Sequence, residues 1–114
     1  MRIQDIIELT NAKRITPGTS VDMDIRYAFS SDLMSDVLTI DTDRLMLITG
    51  LNNVQTIRTA EMAQIGTVLF ARNKRPSKEM IELAEKENMT LLVSEKSVFH
   101  VSGLLFQGGV KPVY

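Results

Sequence analysis

The sequence predicts an α/β fold: a small parallel β-sheet of repeated strand–loop–helix units, flanked by helices. Three observations point there. Short apolar runs begin near residues 45, 67 and 90, a spacing of about 22 to 23 residues that suits one strand, one turn and one helix rather than a solenoid repeat. These runs are continuously apolar, as in Leu45-Met46-Leu47-Ile48, which is the pattern of strands covered on both faces of a parallel sheet. Each run is followed by a polar turn and then by apolar residues at helical spacing, and such strand–helix alternation implies right-handed crossovers between parallel strands.

The elements follow in order. Ile3, Ile6, Ile7 and Leu9 form one stripe with Gln4, Asp5 and Glu8 off it, which predicts a short amphipathic helix over residues 3–10. Pro17-Gly18 marks a turn, and Thr19 to Asp24 reads as a polar loop. Ile25 to Phe29 has the character of a short strand. Ser30-Ser31-Asp32 predicts a helix start, because their side-chain oxygens can accept from free first-turn N–H groups, with Leu33, Met34, Val37 and Leu38 as the apolar face. Asp41-Thr42-Asp43 closes that segment.

Three units then repeat. Strand 45–48 leads through Thr49 to the N-cap candidate Asn53, into a helix with Val54, Ile57, Ala60 and Ala63 at helical spacing, and Gly66 is read as its stop. Strand 68–71 leads through the loop 72–76 to a helix over 77–88, which buries Met80, Leu83 and Ala84 and sets Glu82 and Lys86 at the favourable i, i+4 spacing. Strand 91–93 leads through Ser94-Glu95-Lys96 to a last helix over 97–106, ended by Gly108-Gly109. The tail 107–114 is expected to be loose or held by a partner. With 114 residues the chain fits one domain: a helical and loop lead-in over 1–24, the strand–helix units over about 45–106, then the tail.

Composition narrows the function classes. The net charge of −1, from 13 basic and 14 acidic residues, lacks the basic excess of a nucleic-acid binder. No cysteine is present, which excludes disulfides, thiolate metal sites and thiol nucleophiles and fits a reducing cytoplasm. The start of the sequence does not read as a signal peptide, and no apolar stretch approaches membrane-spanning length, so no membrane association is expected. Seven methionines are spread along the chain, most at core spacing.

In a parallel sheet the loops after the strands gather at one edge, where ligands of such folds bind. That edge collects the ligand-binding candidates Thr49, Gly50, Asn52, Asn53, Arg72, Lys74, Ser94 and Lys96, together with Asn73, Arg75 and Glu95. Its cations and three helix N-termini favour an anion such as a phosphate or nucleotide; polar loops are also simply what water demands. No GxxxxGK[ST] or GxGxxG pattern occurs, so nucleotide hydrolysis by the usual machinery is not expected. Asp32 and Asp36, one turn apart, form a secondary candidate: a pair of carboxylates could begin a magnesium site, but no further ligand cluster accompanies them, and no metal or cofactor is expected. His100, the only histidine, is read as a partly buried structural residue of the last helix, and no catalytic residue is assigned. That helix is apolar round much of its circumference and could be covered by a second subunit.

The run Ser31-Asp32-Leu33-Met34-Ser35-Asp36-Val37-Leu38, then Leu47-Ile48-Thr49-Gly50-Leu51 and Gln55-x-x-Arg58-Thr59-Ala60, resembles the DRTGG-domain family. The likeness continues through Pro76, Ile81-x-Leu83-Ala84 and Leu91-Leu92-Val93, although the five letters naming the family do not occur in a row and only Thr49-Gly50 matches part of them. The resemblance implies a fold like the N-terminal domain of HPr kinase/phosphorylase, without that enzyme's kinase domain. It also implies an accessory unit of the sort attached to phosphotransacetylases or lying beside CBS domains in regulated pyrophosphatases, where it contributes to dimer contacts. The leading expectation is therefore a non-enzymatic, homodimeric regulatory module binding a partner protein or a small phosphorylated ligand. The alternatives are an enzyme acting on a phosphorylated substrate and a pure dimerisation scaffold.

Overall fold

The three apolar runs lie side by side and parallel, as their pattern requires. The computed structural model describes residues 1–16 and 23–114, so the Pro17-Gly18 turn and most of the 19–24 loop lie outside the described residues. The elements are α1 (Ile3–Thr10), β1 (Lys13–Arg14), β2 (Tyr27–Ser30), α2 (Met34–Val37), β3 (Leu45–Thr49), α3 (Val54–Met62), β4 (Thr67–Phe70), α4 (Lys78–Lys86), β5 (Thr90–Val93), α5 (Val98–Gln107) and β6 (Lys111–Pro112). The sheet order is β1-β5-β4-β3-β2-β6, parallel throughout except that β1 runs antiparallel to β5.

Every residue of β3, β4 and β5 is buried, because helices cover both faces. Alternate residues divide between two cores. Leu45, Leu47, Val68, Phe70, Leu91 and Val93 pack with α2, α3 and α4. Met46, Ile48, Leu69 and Leu92 pack with Ile3 and Ile6 of α1 and with Val101 and Leu105 of α5. Of the methionines, Met46, Met80 and Met89 are buried, whereas Met23 and Met62 are exposed.

Four local expectations change. The segment 30–32 does not open a helix: Ser30 pairs with Ile48 as the last residue of β2, and α2 starts only at Met34, with Leu33 at its N-cap. Gly66 does not stop α3; Gln64 takes the left-handed turn instead (φ 60°), as Asn88 does after α4 and Asn11 after α1. Glu82 meets Lys78, at 4.0 Å, rather than Lys86. The tail is not loose: Gly109 (φ +105°) turns the chain and residues 111–112 pair in parallel with Tyr27 and Ala28. At the opposite edge Ile15 N donates to Leu91 O, and the buried Thr16 hydroxyl donates to Met89 O while accepting from Leu91 N.

Among the described residues, no helix is long and apolar enough to cross a membrane. The lead-in is tied to the body by Asp24, whose carboxylate accepts from the Met1 α-amino group at 2.6 Å and from Arg26 Nε at 3.3 Å, with Arg44 Nη1 3.7 Å away. Hydrogen bonds from the α-ammonium first and Arg26 second hold this carboxyl below its ordinary range. A carboxylate whose pKa is lower when folded adds stability above its unfolded pKa and loses it as pH falls through the folded value. Asp24→Asn should therefore melt at a lower temperature than the parent at pH 7, with the gap closing below pH about 4; thermal unfolding at several pH values reads this.

Candidate functional site

The C-terminal edge of the parallel strands carries the loops 31–33, 50–53, 71–76 and 94–97, and these are stitched together by their own hydrogen bonds. Ala71 N donates to Thr49 O (2.9 Å), Arg72 N to Lys96 O (2.8 Å) and Asn73 N to Ser94 O (2.8 Å). The Asn52 side-chain amide donates to Arg75 O at 2.9 Å. The rim is thus a single preorganised surface rather than four independent loops.

The neutral candidates are committed inside it. Thr49 is 0% exposed, and its hydroxyl donates to Asp32 Oδ1 at 2.8 Å while accepting from Leu51 N. Gly50 N donates to the same Asp32 oxygen at 2.8 Å. Ser94 is 1% exposed; its hydroxyl donates to Thr10 O at 2.7 Å and accepts from Lys96 N at 3.2 Å. Asn53 caps α3 by accepting from Thr56 N, and Ser77 and Ser97 cap α4 and α5 in the same way. Each helix N-terminus thus already satisfies one first-turn donor, and an anion there would share the remaining ones with its cap.

The secondary candidate separates. Asp36 lies on α2, but Asp32 precedes it and is drawn across to the β3 loop by Thr49 and Gly50, so the two carboxylates do not share a helix face. Among the described residues no three His, Asp or Glu side chains gather as metal ligands. His100 is exposed, not partly buried, because the sheet-facing residues of α5 are Val101 and Leu105.

Four cations stand on the rim, the exposed Arg72 and Arg75 and the half-buried Lys74 and Lys96, alongside the exposed carboxylates of Asp32 and Glu95 and the exposed Asn52, Asn53 and Asn73. Among the described residues none of the four is ion-paired with a carboxylate. Arg72 and Asn73 sit consecutively in the left-handed region (φ 57° and 56°), a conformation that costs an L-residue such as arginine roughly 1–2 kcal/mol. A polar notch of about 100 Å³ opens beside them, lined by Asn11, Lys13, Asn73, Arg75 and Glu95 among others. Lys13 and Asn11 were not legible as site residues: the charged two-residue β1 has no apolar alternation to announce it, yet its antiparallel pairing with β5 brings Lys13 to the rim.

No protein-family model matches the chain, and no curated protein matches it. Among solved structures, it is similar to the CBS and DRTGG domains of the regulatory region of Clostridium perfringens pyrophosphatase, complexed with the activator diadenosine tetraphosphate. The TM-score is 0.72 at 17% identity, over 95% of this chain and 47% of that one. This chain therefore spans less than half of that structure's length, and the likeness is one of fold.

Proposed function

We propose that this domain is a non-enzymatic regulatory module of the DRTGG-like kind, recognising a small phosphate-bearing anion at the C-terminal edge of its sheet. The observation that carries the reading is the set of four cations, Arg72, Lys74, Arg75 and Lys96, which have no carboxylate partner among the described residues and stand on loops that hydrogen-bond to each other. The loops that carry them are tied to one another through backbone hydrogen bonds, so the backbone loses little freedom when an anion arrives and the ordering cost falls on the cationic side chains. The left-handed backbone at Arg72 and Asn73 supports the same reading, since local strain is commonly retained where a loop must present a side chain. The similar solved structure is a regulatory region complexed with a nucleotide activator, which supports a phosphate-bearing ligand here. The lack of cysteine fits a cytoplasmic setting.

Thermal-shift and calorimetric titrations with inorganic phosphate and adenine nucleotides test this. At a ligand concentration about 100 times the dissociation constant, binding adds about 2.7 kcal/mol to stability. Arg75→Glu and Lys96→Glu should each weaken binding about 10- to 100-fold, the worth of one charge-assisted hydrogen bond. Arg72→Gly should weaken binding too, while raising the melting temperature by relieving the left-handed backbone. Absence of a shift with every anion tested, or a shift indifferent to these substitutions, refutes the reading.

A further inference from the structure

We propose that the groove between α5 and the β2–β6 edge is a second binding site, for a small planar aromatic molecule bearing one negative charge, of the aryl carboxylate or sulfonate class. The groove holds about 410 Å³, inside the range of about 300–1,000 Å³ usual for small-molecule sites. α5 lines it with Phe99, Gly103 and Phe106, and the strand side contributes Ala28, Pro112 and Tyr114. It reaches down to core residues: Ile48, Leu105 and Val110 also line it and are only 1%, 1% and 4% exposed. None of the rim cations lines it.

The rings set the shape of the occupant. Phe99, Phe106 and Tyr114 are 87%, 67% and 85% exposed, so their faces and edges are open to a ligand. Tyr114 is already placed by Phe29, edge to face with ring centroids 6.3 Å apart. A flat aromatic body entering the groove meets these rings in the offset and edge-on contacts that aromatic pairs prefer. Ser30 and Ser102 share a hydrogen bond of 2.7 Å, so the two hydroxyls in the lining ask for no polar partner from that body.

Gly103 is an independent observation. It sits inside α5, where glycine weakens a helix, and a Cβ there would meet nothing within 4 Å among the described residues. Packing of the fold therefore gives no reason for the missing side chain. The space it leaves opens into the groove, and a bare backbone is what lets a ligand approach a helix closely.

Charge sets the rest. Lys111 is the one charged side chain lining the groove among the described residues, and it has no ion pair there. The helix Val98–Gln107 contains no Asp or Glu to repel an anion. An apolar slot beside a single ammonium matches an apolar body with a single anionic group. A polyphosphate is served better by the rim, with its four cations, so the two sites select different ligands and stand or fall separately.

Anilinonaphthalenesulfonate and its uncharged parent phenylnaphthylamine share one aromatic skeleton and differ by the sulfonate. Fluorescence titration of the full chain should show saturable, one-to-one binding of both. Gly103→Leu, which fills the groove, should weaken both at least about tenfold while melting no lower than the parent, because leucine outranks glycine inside a helix. Phe106→Ala, which removes an exposed ring and leaves the fold intact, should weaken both about two- to tenfold. Lys111→Ala should weaken the sulfonate about two- to fivefold, the worth of one exposed ion pair, and spare the uncharged parent. Excess inorganic phosphate should displace neither probe. The proposal is overturned by an absence of saturable binding, by binding indifferent to Gly103→Leu and Phe106→Ala, or by Lys111→Ala acting on both probes alike. Displacement by phosphate would move the probes to the rim and overturn it too. So would binding that fades with rising protein concentration as sedimentation shows self-association, since a second copy would then cover the groove.

Discussion

Phe70→Ala should lower the free energy of unfolding by about 3–5 kcal/mol, the range for removing a fully buried aromatic ring from a core that cannot collapse around the cavity. Phe70 is 0% exposed and ends β4, between Thr49 of β3 and Val93 of β5. Its ring belongs to the core shared with Met80 and Ile57, so the loss falls where the sheet, α3 and α4 meet. Domains of this size are stable by only about 5–15 kcal/mol, so the variant sits near the edge of folding. Urea denaturation reads the effect as a large fall in midpoint at unchanged slope. Met62→Ala, at an exposed position of α3, should stay within about 0.5 kcal/mol of the parent.

Ser94→Val should cost about 2–4 kcal/mol, although valine is close in size and suits a strand end, because two polar groups lose their partner at 1–3 kcal/mol each. The hydroxyl is what Thr10 O, at the end of α1, and Lys96 N, in the rim, have in common. Removing it loosens both attachments at once. Amide hydrogen exchange should show faster exchange at Lys96 and at Arg72, whose N–H donates to Lys96 O, before the rest of the sheet opens. Unchanged stability in Ser94→Val would show that water replaces the hydroxyl at no cost.

The sheet and its direction were legible because burial on both faces writes itself into composition: β3, β4 and β5 have no polar face to display. The cap Asn53 was legible for a local reason, since a helix start needs an acceptor at a fixed offset, whereas Ser77 and Ser97, read as the first helical residues, stand one position earlier as the caps of α4 and α5. The edges were not. β1 is two exposed charged residues and β6 includes a proline, and what makes each a strand is a neighbour far away in sequence. Asp32 shows the same limit from the other side. Its local signal is that of a helix cap, but Gly50 N and the Thr49 hydroxyl outbid that role from 17 and 18 residues away. At the rim, the residue types were readable and their allegiances were not: Thr49 and Ser94 look like ligand groups until their internal partners are seen, whereas the four cations have no carboxylate partner among the described residues.

The outermost strands have a further consequence. Each is only two residues long, one bearing Lys13 and Arg14, the other Lys111 and a proline that lacks an N–H to donate. An incoming ribbon of backbone would find too few open groups and the wrong charges on either flank, so this molecule is guarded against growing sideways into fibrils or swapping ribbons with its neighbours. Whatever larger assembly it joins is not expected to grow by adding strands to this sheet.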